Sequence, residues 1–309
     1  RRPAPGGERP LTPGGWHGGD YAAAGDAWAH AAADVVGAAL AHLDPAREGR
    51  LPGVAPGAVP PDPGRRTAPG PRLLDVGTGP GPGVLAAARA GADAVGLDLE
   101  PGMLRIAAER ARRAADLAGG VRFVAGDARA LPFGAGSFDV VLSTFGVMFA
   151  PEQRRCAAEL TRVCRPGGVI AVASWTPDGV MGRIAPTVRR RLGGQPKSVP
   201  SPTCWGDPER VGSWFGPLPV AVRTRVERVR VRHPSVAHAV AAFADKPGPL
   251  RETRAALEAA GDWESARADL ADLFAAHNRA ADGSLVLDAP YLLVLGRVED
   301  GNARGEATC

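Results

Sequence analysis

The residues best suited to chemistry in this 309-residue chain are glycines and carboxylates at the ends of short apolar runs. Leu73-Leu74-Asp75-Val76 runs into Gly77-Thr78-Gly79-Pro80-Gly81-Pro82-Gly83. Alternating glycines after a buried strand let a ligand lie against bare backbone, because glycine adopts φ > 0 and has no Cβ in the way. A helix beginning there offers N–H groups and a positive dipole end to an anionic group. A tight strand-to-helix turn with no ligand uses the same residues. The dinucleotide fingerprint G-x-G-x-x-G/A fails from either start: Pro82 takes the last position counted from Gly77, and Val84 takes it counted from Gly79.

Two further acids follow. Asp98 ends the apolar run Val95-Gly96-Leu97, about 20 residues past the glycine turn, where a carboxylate can accept from both hydroxyls of a ribose. Glu100, two residues on, reads as the start of a helix. Gly126-Asp127-Ala128 ends the run Val121–Ala125. There an aspartate can accept from an exocyclic amine while the next N–H meets a ring nitrogen, or it can simply make a Gly-Asp turn.

These groups need strands that end together. Apolar runs at Arg72–Val76, Ala94–Asp98, Val121–Ala125, Phe138–Leu142 and Val169–Trp175 alternate with helical patterns at Val84–Ala90, Gly102–Leu117 and Glu152–Arg165. Continuous apolar strands predict a parallel sheet covered on both faces, a doubly wound α/β domain. Residues 1–71 divide into a Pro/Gly-rich arm, a helix from about Asp20 to Leu43 and a Pro-rich linker, and 72–178 form the ligand-binding core. Residues 179–309 supply helices at Gly179–Leu192, Asp207–Phe215, Ser235–Asp245 and Leu250–Asn278. They also supply strands at Val220–His233 and Leu285–Val298, the second a strand or a hairpin. The apolar phase of Val220–His233 switches between Val226 and Val229, which predicts a bulge. Helices inserted this late are expected to form a lid over the carboxyl ends of the strands.

In order, Asp75-Val76-Gly77-Thr78-Gly79-Pro80-Gly81, Gly96-Leu97-Asp98, Gly126-Asp127-Ala128 with Leu131-Pro132-Phe133, Ser137-Phe138-Asp139-Val140-Val141 and Arg165-Pro166-Gly167-Gly168 resemble the core motifs of the class I S-adenosylmethionine-dependent methyltransferases. The branch they are similar to is that of bacterial quinone-biosynthesis and natural-product enzymes. The resemblance is strong over 73–175. Outside it, Gly19-Asp20-Tyr21-Ala22 and Ser201-Pro202-Thr203-Cys204-Trp205-Gly206 echo one bacterial subgroup. It implies a Rossmann-like, doubly wound, mostly parallel seven-stranded sheet with an N-terminal helical arm and a helical lid. It also implies S-adenosyl-L-methionine as cofactor, no metal, and in-line displacement of a methyl group onto a small-molecule acceptor, a secondary metabolite or quinone-like ring. Gly77, Gly79 and the Ser143 backbone are then expected at the methionine end and Asp98 at the ribose. Asp127 and Ala128 are expected at the adenine, with Leu99 and Met103 on either side of its ring, and Asp75, Thr78 and Gly126 complete the cofactor set. Pro80 and Pro82 depart from the pattern and remove two backbone donors.

The acceptor side carries weaker signals. His17 is the histidine to test as a base, because the arm before Tyr21 is placed to fold over the cofactor mouth, and Tyr21 is a candidate to bond cofactor or acceptor. Trp175, Trp205 and Trp214 line a pocket for a flat molecule or pack in the core. Arg189-Arg190-Arg191 reads as a solvated helix face or as an attractor of an acidic substrate.

Composition narrows the class. Net charge is +4, aromatics are 5%, and Lys197 and Lys246 are the only lysines, so an extended nucleic-acid face is not expected. The four cysteines form no C-x-x-C pair, and no long apolar run is present, so a reduced, cytoplasmic protein without a signal peptide or membrane span is expected, monomeric or homodimeric. The rival readings are a protein or RNA methyltransferase, a binding protein without methyl-transfer turnover, and, more remotely, a nicotinamide oxidoreductase.

Overall fold

A computed structural model describes residues 28–44, 70–193, 201–244 and 250–299. His17, Tyr21, the Gly19–Ala22 stretch and the Pro-rich linker up to residue 69 lie outside the described residues. Strands β1 (Arg72–Val76), β2 (Asp93–Asp98), β3 (Val121–Ala125), β4 (Phe138–Thr144), β5 (Cys164–Trp175), β6 (Val220–His233) and β7 (Leu285–Val298) form one sheet in the order β3-β2-β1-β4-β5-β7-β6. Strand β7 runs antiparallel to β5 and β6, and the other pairs are parallel. The mostly parallel, Rossmann-like sheet expected from the motifs is therefore what the chain builds.

Burial explains the continuous apolar strands. Leu73, Leu74, Val76, Val140, Val141 and Leu142 are fully buried, because helices cover the sheet on both faces. Helix α1 (Ala29–Leu43) packs on β4, β5 and α2 (Pro82–Arg89), while α3 (Pro101–Arg113) lies along β2 and β3 and α4 (Gln153–Val163) along β4 and β5. Helices α2 and α3 begin with proline in the first turn, where a missing N–H costs nothing and the fixed φ is already helical. The strand order reverses between β1 and β4, which opens a crevice at their carboxyl ends.

The last third stands at the same edge. Strand β5 stops with Trp175 opposite Tyr291, while β6 and β7 continue as a two-stranded ribbon, Arg228–His233 against Leu285–Pro290. Helices α5 (Val180–Arg189), α6 (Pro208–Phe215), α7 (Val236–Ala244), α8 (Arg251–Ala260) and α9 (Trp263–His277) complete this part, with α9 packed on α5, α7, α8 and β7.

Leu285–Val298 takes the strand form of its two readings. Three details depart from the sequence reading. The pattern over 250–278 is two helices, because Gly261 at φ +75 ends α8 in a left-handed cap. Strand β5 starts at Cys164, not Val169, so Arg165–Gly168 lies within it as an irregularity in its pairing with β4. Strand β6 has no bulge, since its register with β7 is unbroken from Val220 to His233. The phase switch arises because the covering layers change face: Val220 is buried at one end, and Val229 and Val231, of opposite parity, are buried in the ribbon. Among the described residues no helix is long and apolar enough to cross a membrane.

Candidate functional site

The turn after β1 is built by three glycines in left-handed geometry, Gly77 (φ +68), Gly79 (φ +54) and Gly81 (φ +90). Its amides are largely spent inside the protein. The Gly77 and Thr78 N–H groups both donate to the Leu97 carbonyl, at 2.8 and 2.9 Å, and the Gly81 N–H donates to the Thr78 carbonyl. The Gly79 N–H donates to Asp98 Oδ2 at 2.7 Å. What the turn presents outward is bare surface: a Cβ on Gly79 would meet nothing within 4 Å. The N–H groups of Gly77 and Gly79 are thus engaged, and Pro80 and Pro82 have none to offer.

Asp75 and Thr78 lie beneath the turn. Asp75 is 1% exposed and its Oδ2 accepts from Thr78 Oγ1 at 2.7 Å, while its Oδ1 has no hydrogen-bond partner among the described residues. Burial pushes its carboxyl up to about 7, against the opposing hydrogen bond from Thr78. These two expected cofactor residues shape the turn from below instead of facing out of it. Gly83 is required above them, since a Cβ there would come within 2.6 Å of Asp75 Oδ2.

Asp98 is the carboxylate that faces the turn. Its Oδ2 takes the Gly79 N–H and its Oδ1 takes the Glu100 N–H at 2.9 Å, so the ends of β1 and β2 are tied by one side chain. Each oxygen has room for two hydrogen bonds and receives one from these amides, leaving one acceptor direction apiece. Burial raises its pKa, opposed by the two N–H donors. Half-buried Leu99 follows it, and Met103, from the first turn of α3, is buried.

At the next strand end, Gly126 leaves no space for a side chain: a Cβ would lie 2.8 Å from Leu97 Cδ1. Asp127 is half-buried and pairs with Arg129, whose Nη2 donates to Oδ2 at 2.7 Å, and half-buried Ala128 sits in the same turn. Burial opposes ionisation of Asp127, but the hydrogen bonds and charge of Arg129 outweigh it and hold the carboxyl below its usual range. Ser143 is fully buried. Its Oγ donates to the Val76 carbonyl at 2.6 Å and accepts from the Val147 N–H at 2.8 Å, stapling β1 to the loop after β4.

That loop holds Phe145 and Gly146, to which sequence reasoning gave no role. Gly146 packs backbone to backbone on Gly77, and a Cβ on it would lie 2.3 Å from the Gly77 carbonyl oxygen. Phe145 adopts φ +57, rare for a residue with a Cβ, and stacks on Trp175 with centroids 3.9 Å apart. Trp28 and Tyr291 meet it edge-on. A lone glycine just past a strand is the one signal that pointed here.

Two double readings meet the structure. Trp175, Trp205 and Trp214 are all buried in the core, as one of their two readings has it: the rings of Trp205 and Trp214 pack on each other at 5.0 Å and on Phe215, while Trp175 stacks on Phe145. Arg190 and Arg191 both bind Asp269 of α9, and Arg189 meets Thr253 of α8. Arg190 and Arg191 stay exposed, as the solvated-face reading has them, and they also tether the late helices through Asp269.

The residues fit the cofactor. An open glycine turn beside an oriented carboxylate with acceptor capacity left suits a ribose. Comparison with known proteins agrees. A family model described as a methyltransferase domain matches residues 74–172. The uncharacterized protein Rv1403c of Mycobacterium tuberculosis (strain ATCC 25618 / H37Rv) is 46% identical over 156 residues, 50% of this chain and 56% of that protein. The uncharacterized protein Rv1405c of the same strain is 37% identical over 188 residues, 60% of this chain and 68% of that protein. A demethylmenaquinone methyltransferase of Renibacterium salmoninarum is 34% identical over 161 residues, 48% of this chain and 65% of that enzyme. The match thus spans little more than half the length of the first of these relatives. Among solved structures, a candidate methyltransferase of Bacillus halodurans C-125 is similar in fold, with a TM-score of 0.51 at 18% identity, over 75% of this chain and 94% of that one. The chain belongs to the class I S-adenosylmethionine-dependent methyltransferases, and its cofactor is S-adenosyl-L-methionine.

Proposed function

We propose that this protein transfers a methyl group to a small, flat acceptor, a quinone-like ring or secondary metabolite. The observation that carries the reading is Asp98, tied to Gly79 and Glu100 by one oxygen each and still able to accept from two hydroxyls. The bound cofactor supplies an electrophilic methyl group together with its own leaving group. The chain's part is to bind and orient. Gly77 and Gly79 leave the methionine end unobstructed, Asp98 takes the ribose, Asp127 and Ala128 take the adenine edge, and Leu99 and Met103 flank the ring.

The acceptor class is supported by the aromatic row where β4 and β5 end beside the middle of β7. Phe145, Trp175 and Tyr291 lie side by side, with Trp28 of the α1 entry against them. Similarity to an enzyme named for demethylmenaquinone points the same way. Tyr291 is a poor base, because burial and the nearby charges of Glu227 and Asp34 push its hydroxyl up to about 12.

The test is to incubate the protein with S-adenosylmethionine and a panel of demethylated quinones, phenols and amines, and to follow S-adenosylhomocysteine by mass spectrometry. Product formation with a flat ring acceptor is the expected result. Turnover confined to protein or RNA substrates overturns the acceptor class, and absence of any binding of S-adenosylhomocysteine overturns the reading as a whole.

A further inference from the structure

Arg129 does more in this fold than a surface arginine four residues past a strand end. Its Nε donates to both oxygens of Asp127, at 3.1 and 2.9 Å, and its Nη2 to Oδ2 at 2.7 Å. Its backbone N–H also reaches Oδ1, at 2.8 Å. The same guanidinium turns its Nη1 to Glu152 Oε1 at 3.0 Å. Glu152 precedes α4 with φ +52, a conformation costly for a residue with a Cβ and kept only where neighbours hold it. The three side chains are 19%, 29% and 32% exposed, so the cluster is screened only in part. Further along the same loop, Leu131 N–H donates to Glu159 Oε2, and Arg162 donates to the Leu131 and Phe133 carbonyls. The segment after β3 is therefore pinned to α4 at both ends.

A flat, forked guanidinium against a carboxylate fixes the plane of that carboxylate as well as its charge. We propose that Arg129 is a positioning residue for the adenine end of the site, acting through Asp127. It holds the Asp127 carboxylate in one orientation, and because its single Nε–H is shared between the two oxygens, three hydrogens meet about four acceptor directions and one is left for the exocyclic amine of the base. The inference rests on the assignment of Asp127 to the adenine edge. It adds a prediction about base selectivity that a merely structural arginine does not make.

The experiment is calorimetric binding of two probes, S-adenosylhomocysteine and S-inosylhomocysteine, to the full chain. The inosyl probe carries a carbonyl where the adenosyl probe has its amine. The unaltered protein should prefer the adenosyl probe. Arg129→Met should weaken adenosyl binding about tenfold or more, within the range for hydrogen bonds to charged groups. It should weaken inosyl binding less, so that the preference shrinks. Arg129→Lys, which keeps charge but loses the fork, should fall between, and it serves if the methionine variant does not fold. Glu152→Gln keeps the Asp127 clamp and should retain the preference. An unchanged preference in folded Arg129 variants overturns the proposal while leaving the cofactor reading intact. If the unaltered protein binds neither probe, the cofactor reading fails first and the proposal with it.

Discussion

Gly77 and Gly146 meet backbone to backbone across the crevice between β1 and β4. A Cβ on Gly146 would lie 2.3 Å from the Gly77 carbonyl oxygen, and one on Gly77 would lie 2.8 Å from the Gly146 Cα. Both obstructions are main chain and have no rotamer by which to yield. Gly77 also needs its positive φ, whereas Gly146, at φ −99, is constrained by space alone. The Ser143 hydroxyl bridges the same two segments. The floor of the cofactor crevice is thus two loops in direct contact.

Gly146→Ala tests that contact without the complication of a left-handed φ. Overpacking of this kind costs about 1–3 kcal/mol. A lowered melting temperature is expected together with weaker S-adenosylhomocysteine binding. Thermal unfolding and calorimetry check both, and a variant as stable as the parent with full affinity would show that the loops can move apart.

Asp98→Asn should weaken S-adenosylhomocysteine about ten- to a hundredfold, the range for losing hydrogen bonds to a charged acceptor. The amide has one oxygen in place of two and cannot serve both the Gly79 and Glu100 N–H groups while accepting from a ribose. Titration calorimetry decides it. Affinity equal to the parent's would remove Asp98 from the site.

Asp75 sets a pH dependence of stability. Its carboxyl rises from 3.8 to about 7 on folding, so between those values the native state holds a proton that the unfolded chain has released. Stability from this group therefore falls as pH rises through that window, by up to about 1.4 kcal/mol per pH unit. Asp75→Asn cannot titrate there and should flatten the profile. Urea unfolding of both proteins across the window reads the difference, and parallel curves would refute the assignment.

Asp269 works in the opposite sense. The hydrogen bond from Arg191 leads in lowering its carboxyl to about 2, so its contribution is present above pH 3.8 and is lost as the pH falls towards about 2. Asp269→Ala should loosen the attachment of α5 to α9, seen as faster amide exchange in α8 and α9, and leave S-adenosylhomocysteine affinity unchanged. A loss of cofactor affinity with unchanged exchange would instead place the arginine run at the ligand.

Much of this protein is written in local sequence. A buried parallel strand must be apolar on both faces, so β1, β2, β4 and β5 stand out as runs. A turn with positive φ needs glycine, so Gly77, Gly79 and Gly81 mark the site, and an acid ending an apolar run placed Asp98 beside it. These features depend on a residue and its near neighbours. Tertiary structure decided what depends on distant segments meeting. It buried Asp75 under the turn, consumed the Gly77 and Gly79 amides in bonds to β2, and set Arg129 between Asp127 and Glu152. It brought Gly146 against Gly77 because β4 lies beside β1, and it turned an arginine run into a tether because α9 presents Asp269 to it. The phase switch of β6 belongs to the same class: periodicity records which face of a strand is covered, and only the packed layers determine where along the strand that face changes.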